Sequence, residues 1–336
     1  MKPDRASLER MAAETGFNVG TLEKVVRLGE FLADIHRHPF LSRVLVLKGG
    51  TPLNLGFGPP VRLSVDLDFN YVGALAREAM LAERPDVERA LETIASAQGY
   101  ALQKSADAHA GRKLYLGYRN ASGGADRIEV DVNYLHRLSV LECVTGRMWQ
   151  PGGRAAVEAI VLAPEELVAG KLCALFSRRL PRDLFDASRI PDILGPGGLE
   201  GPARRLFVAL AGTLERPYYE RAAERLRDGS RGNLDVELAP MLQRGAGIDP
   251  RELQMRAWKV IEPLTVPTSA EHEFTRRLQE GELLPEILFP DDARTADRIR
   301  LHPALLWKAE NARAHRTMRP REETEATQEG DGGSGL

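Results

Sequence analysis

The sequence predicts an α/β protein, with a small mixed sheet in its first part followed by a helical C-terminal domain. Three observations predict this. Short apolar or alternating runs suited to strands recur as far as Leu162, separated by stretches with helical periodicity. Beyond position 190 the strand signals fade, and Arg-rich helical stretches broken by Pro and Gly take over. A length of 336 residues favours two domains over one. We therefore expect domains at 1–190 and 191–318. The stretch 319–336, rich in Glu, Gly and Thr with a single aliphatic side chain at its end, is expected to be a disordered tail.

The elements follow in order. Positions 6–38 read as helical, because Leu22, Val25, Val26, Leu32 and Ile35 recur near a 3.6 period, with Gly20-Thr21 as an N-cap for the second helix. Val44 to Leu47 is a short apolar run stopped by Gly49-Gly50, so a strand should meet a tight turn there. Thr51 to Leu55 suits a short helix, broken by Gly56 to Pro60. Arg62 to Phe69 alternates: Leu63, Val65, Leu67 and Phe69 on one face, Arg62, Ser64, Asp66 and Asp68 on the other. A helix over 77–98 precedes strands at Lys113 to Tyr118 and Arg127 to Tyr134, joined by a turn at Asn120 to Gly124. In the second of these, Glu129, Asp131 and Asn133 share a face. Val157 to Leu162 is a further strand, and Pro164 opens a helix reaching Arg179.

Composition bounds the function. Hydrophobic residues at 43% and charged residues at 28% fit a soluble globular protein. A net charge of -2 gives no global attraction to nucleic acid or anionic membrane. Locally, Arg294, Arg298, Arg300, Lys308, Arg313, Arg316 and Arg319 face only Asp297 and Glu310, which suits either a solvated helix surface or part of an RNA-binding one. Cys143 and Cys173 form neither a disulfide framework nor a zinc site and fit a reducing cytoplasm. Met1 to Arg5 lacks a signal-peptide core, and no run approaches the roughly 18 apolar residues of a membrane span. A cytoplasmic protein without a membrane partner is expected. His36 and His38, two apart at a helix end, do not face one another as metal ligands would. Trp149, Trp258 and Trp307 are scattered and expected in the core.

The charged face of the 62–69 strand stands out. Asp66 and Asp68 lie on one side, about 7 Å apart along the chain, and repel each other. Such a face is either simply solvated or built to hold a divalent cation. Mg²⁺ (or Mn²⁺) takes oxygen ligands from carboxylates and substrate phosphates. Asp131 on a later strand would be a third ligand, as in two-metal phosphoryl transfer. Upstream, Gly49-Gly50 between a strand and a helix lets backbone N–H groups approach a phosphate.

The order strand, Gly-Gly, short helix, Asp-x-Asp strand and later Asp resembles the DNA polymerase beta-like nucleotidyltransferase superfamily. More closely, Lys48-Gly49-Gly50-Thr51-Pro52-Leu53-Asn54-Leu55 and Arg62-Leu63-Ser64-Val65-Asp66-Leu67-Asp68-Phe69 resemble the AbiEii/AbiGii-type nucleotidyltransferase toxin family. The resemblance continues at Glu166 to Leu172 and at Arg182-Asp183-Leu184-Phe185-Asp186, and covers roughly positions 15–190. Pro52 stands where the family often has a small residue, a change that a first helical turn accepts.

The resemblance implies a nucleotidyltransferase fold and a toxin paired with a cognate antitoxin, or used in phage exclusion. It implies NMP transfer from an NTP to an acceptor hydroxyl with Mg²⁺, and by analogy the 3′ end of tRNA as acceptor, with translation blocked. It assigns Asp66, Asp68 and Asp131 to the metals and Lys48, Gly49, Gly50 and Thr51 to the nucleotide.

Lys171 lies inside the apolar stripe of Leu167, Val168, Leu172 and Leu175, so it either snorkels or meets the triphosphate; a methionine there is expected to pack well. Asp183 would orient Lys171 or the nucleotide, whereas Asp186 suits a helix-start carboxylate nearly as well as a functional one. Arg62 is expected to contact phosphate or hold the aspartates, and Ser64 to hydrogen-bond nearby or be a phosphorylation point that switches catalysis off. Two rival readings stay open: transfer to a protein or small antibiotic hydroxyl, and a catalytically silent binding protein on the same scaffold.

Overall fold

The computed structural model of the chain describes residues 3–106, 110–220, 226 and 232–318. The expected tail at 319–336, with Arg319, lies outside these residues. Helices α1 (Arg5–Thr15), α2 (Val19–Arg37) and α3 (Leu41–Val44) lead into β1 (Leu45–Lys48), α4 (Gly50–Leu55) and β2 (Asp66–Tyr71). Helix α5 (Arg77–Ala97) is followed by β3 (Ala101–Lys104), β4 (Gly111–Arg119), β5 (Ala125–Asn133), β6 (Val144–Met148) and β7 (Val157–Val161). Asn18, whose side chain accepts from Gly20 N–H, caps α2 in place of the expected Gly20-Thr21.

The strands form one mixed seven-stranded sheet in the order β3-β4-β5-β2-β1-β7-β6. Strand β2 pairs parallel with β5 and antiparallel with β1. Alternation divides the two faces. Leu67, Phe69 and Tyr71 of β2 join Leu45, Leu47, Val130 and Val132 in an apolar cluster closed by α1, α2 and α5. Asp66, Asp68 and Asn70 therefore point to the opposite face.

That face is covered in part by α6 (Pro164–Arg178), α7 (Pro181–Ser188) and α8 (Ile190–Leu194), then by helices further along the chain. These are α9 (Pro202–Ala211), α10 (Leu234–Glu237), α11 (Pro250–Ile261), α12 (Ser269–Gln279), α13 (Ala293–Arg300) and α14 (Pro303–Met318). A second apolar cluster runs from Val46 of β1 and Leu53 of α4 through Leu167 and Leu172 of α6 to Phe207, Phe274 and Leu305. It crosses position 190 without a break, so the two expected domains share a core.

The sheet is larger than the sequence suggests. Strands β3 and β6 are short edge strands with mostly exposed side chains, so they carry no alternation to read. The expected strand at 62–69 is displaced: regular pairing runs over Asp66–Tyr71. Arg62 bridges instead to Leu242, and Leu63 N–H donates to the Met241 carbonyl at 2.8 Å. All four of Arg62, Leu63, Ser64 and Val65 are buried. Leu63 and Val65 join the apolar cluster, Arg62 turns to Asp186 and Ser64 to Gly50, and a strap at 239–244 bonds along the segment's edge. The strap is also tied to the N-terminal helices, where Arg244 N–H donates to Gly16 and Thr21 Oγ1 to the Pro240 carbonyl.

The basic residues of 294–319 are largely committed within the molecule. Arg298 donates to the Ser139 carbonyl at 2.8 Å, Lys308 to Leu214 at 2.6 Å, Arg313 to Gly281 at 2.7 Å and Arg316 to Glu280 at 3.1 Å. Arg294 pairs with Glu142, and Arg300 with Glu286 and Asp297. Part of the sequence excess of cations thus serves to close loops and satisfy helix ends, while Arg294 and Arg300 keep much of their side chains exposed. His38 has a similar local duty, its Nδ1 accepting from the N–H groups of Phe40 and Leu41. Trp149 and Trp258 pack against the two clusters, whereas Trp307 is 52% exposed.

One buried carboxyl locks α6 to the connection between β5 and β6. Glu166, in the first turn after Pro164, accepts from Val140 N–H at 3.0 Å and Leu141 N–H at 2.9 Å. Burial pushes its carboxyl up to about 7, against the pull of those two donors. Its folded-state value lies above the ordinary 4.5, so its contribution to stability falls as pH rises through that interval. Glu166→Gln should flatten this slope and turn an amide NH₂ toward a backbone N–H, costing about 1–3 kcal/mol. Urea unfolding at pH 5 and pH 7.5 checks it; an unchanged midpoint at both values would remove the lock from the account.

Candidate active site

The register of β2 and β5 builds an acidic ladder. Asp66 stands opposite Glu129, Asp68 opposite Asp131, and Asn70 opposite Asn133. Neighbouring strands lie about 4.8 Å apart and like-facing side chains about 7 Å apart along each strand, so four carboxylates share a small patch. Burial, then the Asp68 charge, raises the carboxyl of Asp66 above its ordinary value; the same two causes raise Asp131. Loose cationic partners relieve part of this: Arg182 lies 3.6 Å from Asp66, and Lys113 3.8 Å from Asp131.

Gly49 links β1 to α4 with φ 79°, a backbone region that favours glycine. A Cβ there would collide with the Asp68 carboxylate, which packs directly over the turn. Gly50 sits beneath Ser64, Arg62 and Lys171. Thr51 is fully buried, and its hydroxyl donates to the Asp66 carbonyl at 2.5 Å. It therefore fixes the start of β2 and does not face the cleft. Lys48, paired in register with Asp68, has its ammonium pKa lowered by burial despite Asp68 and Asp131.

The facing wall comes from α6 and α7, which are joined by Arg179 in a left-handed conformation (φ 58°). The turn brings Lys171 of α6 to Asp186 of α7, 2.8 Å apart. Asp186 also accepts from Arg62 Nε at 3.1 Å and Nη2 at 3.0 Å, and from Asn54 Nδ2 at 3.1 Å. Burial alone would raise this carboxyl, but Arg62 and Lys171 pull it down to about 2. Asp183, with no exposed surface, accepts both guanidinium donors of Arg178 at 2.8 and 2.9 Å and lies 3.7 Å from Lys171.

Between the walls runs a cleft with two lobes. The first, about 390 Å³, is lined by Ser64, Asp66, Lys113, Glu129 and Arg182, with Glu237 and Met241 closing it from the C-terminal part. The second, about 340 Å³, is lined by Lys48, Asn70, His136, Cys173 and Thr213 among others. Asp68, Asp131, Lys171 and Arg178 border both.

The donor set suits a hard divalent cation: oxygen ligands only, mutually repelling, with a glycine leaving room for one of them. Among the described residues, however, no group of three or more His, Cys, Asp or Glu side chains stands drawn together as an ion would hold them. Lys113 and Arg182 occupy the neighbourhood instead.

The sequence matches the family model described as nucleotidyl transferase AbiEii toxin, type IV toxin–antitoxin system, over residues 30–258. The chain belongs to this family. It is a nucleotidyltransferase toxin of a type IV toxin–antitoxin system. Its fold is similar to that of MenT4, a nucleotidyltransferase toxin from Mycobacterium tuberculosis H37Rv, with a TM-score of 0.57 at 20% identity, covering 90% of this chain and 99% of that one. No curated protein matches the sequence. The family match reaches beyond position 190 into the helices that share the second core.

In this AbiEii-type toxin, Asp66, Asp68, Asp131, Lys48, Gly49, Gly50, Ser64, Arg62 and Lys171 do gather at one cleft. Beside Thr51, three expectations change in detail. Asp183 is too deeply buried to orient a nucleotide and acts on Lys171 and Arg178. Asp186, ranked lower from sequence, is the carboxylate on which Arg62, Lys171 and Asn54 converge. Lys171 does not snorkel: with 10% of its side chain exposed it neutralises Asp186, so a methionine would leave that carboxylate short of a partner.

Glu129, Lys113, Arg178 and Arg182 were not singled out. Glu129 shares a strand face with Asp131, and Arg178 lies two helical turns from Lys171, so both had a periodic signal. Met241 and Glu237 had none.

Asp186→Ala strands two buried cations and should cost about 3–5 kcal/mol of stability. In the unmodified protein the Asp186 contribution is present above the ordinary 3.8 and is lost as pH falls toward about 2. Acid titration of folded Asp186→Asn beside the unmodified chain checks this. A variant with equal stability and the same acid limb would show that the network is dispensable.

Proposed function

We propose that the toxin transfers a nucleotide monophosphate from an NTP to an acceptor hydroxyl and releases pyrophosphate. The observation that carries this reading is the β2–β5 ladder, in which Asp66, Asp68 and Asp131 face a glycine turn and a wall of cations. The triphosphate lies in the first lobe, where Lys113, Arg182, Arg178 and Lys171 offset its charge and the Gly49-Gly50 backbone lets it approach. Asp66, Asp68 and Asp131 would hold divalent metal, Mg²⁺ or Mn²⁺, which would supply neutralisation of phosphate charge.

The acceptor hydroxyl attacks the α-phosphorus in line, the bond to the β-phosphate oxygen breaks, and the hydroxyl proton passes to Asp131. Asp183 and Asp186 touch no substrate; they keep Lys171 and Arg178 aimed at the phosphates. The acceptor is taken to be an RNA 3′ end, that of tRNA, which blocks translation in the cytoplasm until a cognate antitoxin intervenes. This part rests on the family resemblance alone.

Incubation of the protein with labelled NTPs, Mg²⁺ and total RNA tests the reading. Label should enter RNA, and Asp66→Asn or Asp68→Asn should reduce incorporation by at least about 10²-fold, the scale of one lost electrostatic group. Neither variant should lower the melting temperature, because each relieves repulsion between like charges. Full incorporation by Asp66→Asn would overturn the site. Label appearing in protein and not in RNA would overturn the acceptor.

A further inference from the structure

The cations of the cleft fall into two classes. Lys171 lies 2.8 Å from Asp186, and Arg178 donates to Asp183 at 2.8 and 2.9 Å, so both are held by buried carboxylates of the helical wall. Lys113 and Arg182 are held differently. The Lys113 ammonium lies 3.7 Å from Glu129 and 3.8 Å from Asp131, and Arg182 Nη1 lies 3.6 Å from Asp66. These separations are longer than a hydrogen bond. The two side chains stay 48% and 37% exposed, and Arg182 Nε is buried without a partner.

Strand register puts Lys113 in line with the acids. Lys113 of β4 stands opposite Asp131 of β5, Asp131 opposite Asp68 of β2, and Asp68 opposite Lys48 of β1. Residues directly opposite share a face. One row of the sheet therefore reads Lys48, Asp68, Asp131, Lys113, two acids flanked by two cations. In the adjoining row, Glu129 has a closer partner in Arg127 at 3.3 Å, and Asp66 has Arg182 from the first turn of α7. Lys113 and Arg182 thus lie beside the ladder without being bound to it.

We propose that Lys113 and Arg182 are displaceable counter-cations, which weaken the ladder's hold on a bare divalent cation and strengthen it for one that arrives with a triphosphate. A positive charge about 4 Å from the carboxylates opposes a bare divalent ion and attracts a metal–triphosphate complex, whose net charge is negative. The loose contacts let both side chains turn from carboxylate to phosphate at little cost. Arg62 and Lys171 have no such freedom, because leaving would strand a buried carboxylate. Metal and triphosphate then favour each other's binding through these two side chains. The proposal rests on the transferase reading, which puts divalent metal on the ladder and the triphosphate in the first lobe.

Calorimetric titration of the full chain, stripped of metal by chelator and dialysis, tests this. The ligands are Mn²⁺ alone and the Mn²⁺ complex of inorganic triphosphate. Lys113→Gln should bind Mn²⁺ alone about three- to tenfold more tightly, the scale of one unit charge at this distance in a wet site. The same variant should bind the complex more weakly by a similar factor. Lys113→Arg, which keeps the charge, should leave both affinities near those of the unmodified chain. Raising the salt concentration should narrow both differences. A merely structural role for Lys113 would move the two ligands in the same direction.

Unchanged Mn²⁺ affinity in Lys113→Gln, or both affinities shifting the same way, would overturn the proposal. Asp131→Asn separates it from the reading beneath it. If Asp131→Asn weakens Mn²⁺ binding while Lys113→Gln changes nothing, the ladder keeps its metal and only the counter-cations fall. If Asp131→Asn leaves Mn²⁺ affinity unchanged, the ion does not sit on the ladder, and both readings fall together.

Discussion

The buried carboxylate of Asp186 is the constraint on which the cleft depends. A charge with 2% of its side chain exposed is tolerated only when its partners are close and well aimed. Here they come from separate parts of the chain: Arg62 before β2, Asn54 in α4 and Lys171 in α6. Asn54 also donates to the Gly50 carbonyl, so the same point fixes the glycine turn. Arg62 and Lys171 cannot leave without stranding Asp186, and Asp186 cannot leave without stranding them. The cationic wall is therefore held in a fixed position relative to the acidic ladder by contacts within the chain itself.

The ladder itself is the reverse case. Asp66, Asp68, Glu129 and Asp131 gain nothing from one another, and burial together with the Asp68 charge holds the carboxyls of Asp66 and Asp131 above their ordinary values. What keeps them side by side is the opposite face of the same strands, where Leu67, Phe69, Val130 and Val132 are fully enclosed. Each such side chain contributes about 1.5–3 kcal/mol of burial, enough to outweigh the repulsion on the charged face. Because the side-chain period in a strand is two, a one-residue slip would bury the acids and expose the core.

This explains which parts were legible in the sequence. Alternation at Leu67 and Phe69 against Asp66 and Asp68 survives because one face is core and the other is cleft. The Gly49-Gly50 turn is legible because few other residues accept that backbone. Arg62 to Val65 misleads for a physical reason: it alternates like a strand but is buried on both sides and bonds along its edge to a strap nearly 180 positions away in sequence. The edge strands β3 and β6 are half-solvated and carry no pattern. The weight of Asp186 is hidden in the sequence because its partners are distant, while its local context, a short helix after Pro181, also suits a helix-start acid. For the C-terminal arginines, charge counts do not reveal which guanidinium groups already face carbonyl oxygens, as those of Arg298 and Arg313 do.

Those arginines also bear on how the C-terminal part serves the site. It walls the cleft. Met241 and Glu237 close one lobe, Leu210 and Thr213 close the other, and Arg298 and Arg294 tie α13 to the β5–β6 connection that Glu166 holds from α6. Without these helices the acidic ladder would be an open sheet face, with its cations more strongly screened by water and salt. With them, Lys171 and Arg178 work at the border of two partly enclosed spaces, where a charge interaction is worth more. The sequence divides near position 190 into a part rich in strands and a part rich in helices, but the cleft requires both.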